Sequence, residues 1–272
     1  MKTCELFGLK GRVIVITGGL GQLGKEYAGA LSSAGAKVVL LDVSPEGEDL
    51  LKSVKGPPEN LFYMRTDVTD KGSLKEALAR ITDELGVPYG LVNNAAIDSP
   101  PDAPTEENGP FETYPEASWD RVMEVNAKGV FLCCQILGGA MAREGRGSIV
   151  NICSTYGIVS PDQRIYAYRN SQSDTPFFKP VAYSASKSAL VNLTRYLATY
   201  FSPKGVRVNT LTLGGVFNKQ DKRFLKGYCE RVPMGRMARP DEYNGAVIFL
   251  MADASSYMTG SNLIIDGGWT AW

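Results

Sequence analysis

The sequence predicts an α/β protein: a single domain over residues 1–272, built on a doubly wound parallel sheet of about seven strands with helices on both faces. Three observations carry this. Short apolar runs alternate with segments of helical periodicity along the whole chain. The runs are continuous, as in VIVIT (Val13–Thr17) and VVLLD (Val38–Asp42), which marks strands buried on both faces. A glycine-rich turn, TGGLGQLG (Thr17–Gly24), joins the first strand to the first helix.

Val13–Thr17 is the first strand, and Leu23–Ala34 its helix. Val38–Asp42 is the second, with a weaker helix from Pro45. Leu61–Met64 reads as a third strand, followed by a helix over Ser73–Leu85 that Gly86 stops. Gly90–Asn93 is the fourth, and a long helix runs from about Pro115 to Arg143. Ser148–Cys153, Val206–Leu211 and Asn262–Ile265 supply the remaining strands. Helices over Ala182–Phe201, near Lys219–Arg231 and over Asp241–Met251 separate them. No linker, repeat or low-complexity tract divides the chain. Two stretches break the rhythm: 98–115, rich in Pro, Asp and Glu, and 157–180, polar and aromatic. Long loops in compact domains are commonly functional. Both follow strands, on the edge where open parallel sheets bind ligands, so both are expected as substrate-side insertions.

Basic and acidic residues balance at 29 each and histidine is absent. Zero net charge argues against a nucleic-acid partner. No apolar run approaches the roughly 18 residues that cross a membrane, and the opening MKTCELFGLKGR lacks the apolar core of a signal peptide. The expected partner is a small molecule, not nucleic acid or membrane, and the expected location is cytoplasmic. Five cysteines without paired zinc spacing, in a chain without histidine, give no reason to expect a metal.

Gly19, Gly21 and Gly24 spell GxGxxG between a strand and a helix, the context in which that spacing carries meaning. Glycine permits the sharp turn and lets backbone N–H groups approach a pyrophosphate at the helix N-terminus. Asp42 ends the second strand, where a carboxylate accepts both hydroxyls of an adenosine ribose and repels a 2′-phosphate. No Arg or Lys follows in Val43, Ser44 and Pro45, so NAD is expected over NADP. A second reading, Asp42 as the cap of a helix beginning near Ser44, stays open.

The segment YSASK places Tyr183 and Lys187 on one helical face. A free phenol, with a pKa near ~10, is a poor base at neutral pH. A nearby ammonium favours the phenolate, as does the positive ring of NAD⁺. Ser154, just past SIVNIC, is placed to hydrogen-bond a substrate oxygen. Asn126, inside the long helix, must find polar partners, water among them.

Together these residues resemble the short-chain dehydrogenase/reductase family over nearly the whole chain. The resemblance rests on the glycine turn, Asp42, Asp67-Val68 in TDVTD, Asn93-Asn94-Ala95, Asn126, Ser154, Tyr183, Lys187, RVNTLTLGGV and the terminal TGSNLIIDGG. It implies a Rossmann-type domain, a homodimer or homotetramer, and a nicotinamide cofactor. By the same resemblance Tyr183 exchanges the substrate proton, Ser154 positions the carbonyl or hydroxyl, Lys187 binds the nicotinamide ribose and tunes Tyr183, and Asn126 holds a relay water. Asp67 and Val68 would contact adenine, and Asn93 and Ala95 would line the cofactor cleft. Gly18, Gly21, Gln22, Leu23 and Gly24, with Gly214 and Val216 after the sixth strand, complete the cofactor set.

The chain departs from the family pattern in places. Gln22 replaces a glycine usual in the short branch, so that Gly18, Gly21 and Gly24 match TGxxGxxG, the spacing typical of the extended, nucleotide-sugar branch. Leu213-Gly214 stands where Pro-Gly is usual. The segment between Ser154 and Tyr183 is long. With its flanks it resembles oxidoreductases of flagellin modification and nonulosonate-sugar synthesis, which implies a sugar, sugar phosphate or nucleotide sugar as substrate. Arg164 and Arg169 would then meet phosphate or carboxylate oxygens in forked geometry; a solvated loop or a subunit contact is the other reading of this segment. Three functions are compatible with these residues: NAD-dependent hydride transfer on a secondary alcohol or ketone, a non-catalytic NAD-binding sensor or scaffold, and an NAD-retaining nucleotide-sugar dehydratase or epimerase. Ser154, Tyr183 and Lys187 together favour the first, because a sensor needs no such set.

Overall fold

Seven strands form one sheet in the order β3-β2-β1-β4-β5-β6-β7, and every neighbouring pair is parallel. They are β1 (Val13–Thr17), β2 (Lys37–Asp42), β3 (Leu61–Arg65), β4 (Gly90–Asn93), β5 (Gly147–Ser154), β6 (Val206–Leu213) and β7 (Asn262–Ile265). The helices of eight residues or more are α1 (Gln22–Ser33), α2 (Lys71–Glu84), α3 (Glu116–Glu144), α4 (Val181–Phe201), α5 (Lys222–Cys229) and α6 (Asn244–Met251), and the weaker helix expected from Pro45 is the short Gly47–Leu51. The computed structural model describes residues 3–98, 107–172 and 176–272. Residues 99–106 of the 98–115 insertion lie outside them, as do residues 173–175 of the second.

The strands fill both faces. Val13 and Val15 of β1 join Val39, Leu41, Leu91 and Ile149 in one core, under α2, α3 and α4. Ile14 and Ile16 point the other way and join Val38, Leu40, Val92 and Val150 in a second, under α1 and α6. Successive strand side chains face opposite sides, so strands covered on both faces must be apolar at every position. Each such side chain contributes ~1.5–3 kcal/mol when fully buried.

Local chemistry moves these helix ends by up to three residues. α2 begins before Ser73 because Asp70 caps it, accepting from Gly72 N at 2.7 Å. Gly86, at φ +101°, closes its far end. α5 is shorter than its periodicity suggests, since Asp221 caps it by accepting from Arg223 N at 2.7 Å. A 3-10 turn, Pro240–Tyr243, precedes α6. The second insertion contains a 3-10 stretch, Gln163–Gln172, which the absence of regular periodicity concealed.

The largest difference lies in α3. Two π segments, Glu124–Gly129 and Cys134–Gly138, interrupt its α-helical course. α3 is also the one helix among the described residues long and apolar enough to cross a membrane, contrary to the expectation that no run is. Most of its apolar stretch is buried inside the protein.

Candidate active site

The C-terminal ends of the strands converge on one edge, and the glycine turn stands there above β1. Gly18 has φ +59°, and a Cβ on it would lie 2.8 Å from Ala95 Cα. A Cβ on Gly24 would lie 2.4 Å from Gly18 O. The protein's own packing therefore demands these two glycines. Gly21 differs: its Cβ would meet a single neighbour, Gly18 O at 3.3 Å. Gly21 is the N-cap of α1, and no side chain caps that helix. The first-turn N–H groups of a helix have no partner within it. A bare, uncapped N-terminus of this kind fits a pyrophosphate, so these residues fit a dinucleotide. Gln22 turns aside, donating from Nε2 to Phe217 O at 3.1 Å, while Leu23 lines the main cleft.

Asp42 ends β2. Its Oδ2 accepts from Leu20 N at 3.1 Å and its Oδ1 from Ser44 N at 3.2 Å, so it ties the glycine turn to its own strand end. It does not cap the helix that follows, which begins at Gly47 with Glu46 at its N-cap and no side-chain cap, and each oxygen still has acceptor capacity left. Asp67 lies past the end of β3 and accepts from Thr69 N and Oγ1, both at 2.8 Å. Val68 is buried, packed where a Cβ on Gly129 would come within 2.9 Å of it.

A cleft of about 690 Å³ opens beyond β4, β5 and β6. Ser154, Tyr183, Lys187, Gly214, Val216 and Arg169 all line it. Ser154 is the last residue of β5; Tyr183 and Lys187 lie in the first two turns of α4. Lys187 is 4% exposed and donates from Nζ to Ile152 O at 2.9 Å. Its Nζ stands 5.8 Å from the Tyr183 ring centroid. Burial pushes the Tyr183 phenol well above its ordinary range, the Asp98 charge adds to the rise, and the Ser154 hydroxyl, acting as hydrogen-bond partner, pulls it down. Burial lowers the pKa of Lys187, against the Cys153 and Asp98 groups that raise it. Within the polypeptide, then, desolvation outweighs the ammonium expected to acidify the phenol.

Asn126 is fully buried in the first π segment. Its Nδ2 donates to Ile97 O at 2.9 Å and to Ser186 Oγ at 3.0 Å, and its Oδ1 accepts from Ile97 N at 2.8 Å. Both amide protons are thus in use, binding the strand-end loop to α4. A relay water would have to use the main-chain carbonyl or the spare Oδ1 lone pair.

Two expected site residues sit elsewhere. Asn93 turns away from the cleft: it is 1% exposed and donates to Asn151 Oδ1 at 2.8 Å and to Cys134 Sγ at 3.3 Å. The reason is strand alternation, which sends side chains of consecutive residues to opposite sides. Asn94 takes the place, lining the cleft. Ala95 packs on Gly18, and its N–H donates to Thr17 Oγ1 at 3.1 Å. Arg164 is not part of the cleft lining: its guanidinium forks onto Asp162 at 2.9 and 3.1 Å. Arg169 does line the cleft, 4.5 Å above the centroid of Phe177.

Sequence reasoning missed the aromatic wall. Tyr156, Tyr166, Phe177 and Tyr228 are buried together, with Phe224 packed against them. The Tyr156 and Tyr166 hydroxyls lie 3.3 Å apart, and burial pushes the Tyr156 phenol up to about 12. These rings come from the turn after β5, the second insertion and α5, segments separated in sequence.

A doubly wound sheet with this phosphate cradle and a phenol–ammonium pair sharing one cleft defines a dinucleotide-dependent dehydrogenase. Residues 21–270 match the family model described as Enoyl-(Acyl carrier protein) reductase, and the chain belongs to this family of short-chain dehydrogenases/reductases. It is an oxidoreductase of CH–OH groups. The chain is 33% identical over 269 residues to the NAD-dependent glycerol dehydrogenase of Listeria innocua serovar 6a, covering 97% of this chain and 96% of that one. It superposes with a TM-score of 0.84 on a short chain dehydrogenase from Leptospira borgpetersenii with bound NAD⁺, at 32% identity, covering 99% of this chain and 96% of that one. It gives the same TM-score, 0.84, with a gluconate 5-dehydrogenase from Burkholderia cenocepacia J2315 in complex with NADP and tartrate, at 26% identity and 100% coverage of both chains.

Proposed function

We propose that this protein is an NAD-preferring dehydrogenase of a polyol or sugar-derived secondary alcohol, with Tyr183 as acid/base. The observation that carries the reading is the grouping of Tyr183, Ser154 and Lys187 in one cleft beside the glycine cradle. Asp42 supports NAD over NADP, since a carboxylate repels a 2′-phosphate. Relatives named for glycerol and gluconate support a hydroxyl-rich substrate. The resemblance of 157–180 to oxidoreductases of flagellin modification and nonulosonate synthesis narrows this to a sugar derivative, with Arg169 in reach of an anionic group on it. A cytoplasmic homodimer or homotetramer accords with the family.

A bound nicotinamide supplies the hydride acceptor or donor. The chain does the rest. Ser154 holds the substrate oxygen, and Tyr183 takes its proton in oxidation or returns it in reduction. Lys187, fixed by Ile152 O, keeps a positive charge beside the phenol as it ionises. The aromatic wall excludes water from the substrate end and offers ring faces to C–H groups.

A panel of polyols, sugar acids and sugar phosphates, read by NAD-dependent absorbance change, tests the activity, with Tyr183→Phe beside it. Turnover should fall by about three orders of magnitude or more in the variant while NAD binding persists. Turnover comparable to the parent overturns the role of Tyr183. Cofactor retained through turnover with no net NADH would instead favour an epimerase or dehydratase.

A further inference from the structure

Two charged groups stand at Tyr183 with no part in the scheme above. Lys179 Nζ contacts both oxygens of Asp98, at 2.5 and 2.6 Å, and lies 5.0 Å from the Tyr183 ring centroid, nearer than Lys187 at 5.8 Å. The Lys179 side chain is 9% exposed and that of Asp98 44%. Both residues line the cleft. Each belongs to one of the two stretches that break the sheet's rhythm, Asp98 following β4 and Lys179 preceding α4, so the pair clasps the two insertions together over the phenol.

We propose that Asp98 and Lys179 are opposed positioning residues that set the acidity of Tyr183, the carboxylate favouring the phenol and the ammonium favouring the phenolate. The other groups facing Tyr183 are Ser154 and Cys153 of β5, Tyr156 in the turn after it, and Lys187 on its own helix. Burial pushes the Cys153 thiol and the Tyr156 phenol up, which keeps both neutral. Lys187, Lys179 and Asp98 remain as the charges beside the phenol. Lys187 is anchored to β5, whereas the other two are anchored to each other. In a pocket of low dielectric, one charge at about 5 Å moves a neighbour's pKa by on the order of one unit. Paired, the two charges nearly cancel, so removing either one exposes the other.

This inference rests on Tyr183 being the acid/base, and its test reads the phenol directly. The full-length protein, with carbon-13 in its tyrosine rings and saturating NAD⁺, is titrated by NMR, and Tyr183→Phe assigns the resonance. Asp98→Asn should lower the Tyr183 midpoint by about one pH unit and Lys179→Met should raise it by about as much, with the double variant between them. A purely structural clasp would give both single variants the same direction of change. Shifts of the same sign, no shift in either single variant, or a Tyr183 resonance that titrates in none of the proteins overturns the proposal. Retained turnover in Tyr183→Phe is a separate result: it removes the acid/base role and leaves the opposed shifts standing.

Discussion

Asn94 joins the end of β4 to the glycine turn: its Nδ2 donates to Gly18 O at 3.0 Å and to Thr17 O at 3.2 Å. Its own N–H donates to Thr17 Oγ1 at 3.1 Å. Replacing Asn94 by Leu leaves two strand-end carbonyls without these donors, at a cost of about 1–3 kcal/mol. NAD affinity should fall about tenfold as the turn loosens. Urea denaturation and calorimetric titration with NAD measure the two effects, and an unchanged variant in both would show that the turn holds itself.

Gly21 and Gly24 should separate binding from folding. Gly24→Ala drives a Cβ to 2.4 Å from Gly18 O, so stability should drop by about 1–3 kcal/mol along with NAD affinity. Gly21→Ala meets only Gly18 O at 3.3 Å and should cost under about 1 kcal/mol while weakening NAD tenfold or more. Equal losses of stability in the two variants would refute the distinction.

Asp42→Asn removes a charge and keeps an acceptor. Arg65 pairs with Asp42 in register across β2 and β3 and donates from Nε to Val43 O at 3.3 Å. With the carboxylate gone, that guanidinium becomes the dominant nearby charge. The ratio of NADP to NAD affinity should rise at least about tenfold. Competition binding reads it, and an unaltered ratio would leave Asp42 only as the tie between the glycine turn and its strand end.

Alkali should unfold the protein early. Burial raises the phenols of Tyr27, Tyr183, Tyr228 and Tyr243, and the thiols of Cys133 and Cys134, well above their ordinary values. The folded state therefore keeps protons that the unfolded chain releases. The associated stability is fully present below about pH 9 and is lost as pH climbs past the unfolded values. Lys187, whose pKa burial lowers, works in the opposite sense over the same range, as one group against six. Urea midpoints compared near neutrality and at about pH 11 test this, and a flat profile would contradict it.

How much of this was legible in the sequence depended on whether the signal was local. Val13–Thr17 or Gly90–Asn93 announces itself, because burial on both faces forces an unbroken apolar run. Tyr183, Lys187 and the glycine turn were legible for the same reason, since each motif lies within one or two turns of chain. Asn93 and Asn94 were not separable, because which of two adjacent asparagines faces a cleft depends on where the strand stops. The Asp98–Lys179 pair was hidden by a separation of 81 positions. Arg164 looked like an anion ligand only while Asp162, two residues away, had not been placed against it.

The first π segment gives α3 a constraint of its own. Glu124–Gly129 holds one residue more per turn than regular helix, and Asn126 reaches Ile97 and Ser186 from inside that wider turn. A regular helix, at about 100° per residue, covers the same rotation with one residue fewer, so removing one residue there would let α3 relax into ordinary geometry with the apolar stripe on either side still facing the sheet. Asn126 would lose the wider turn from which it reaches both partners. The stripe thus tolerates a change of length at this one place, whereas the Asn126 contacts do not.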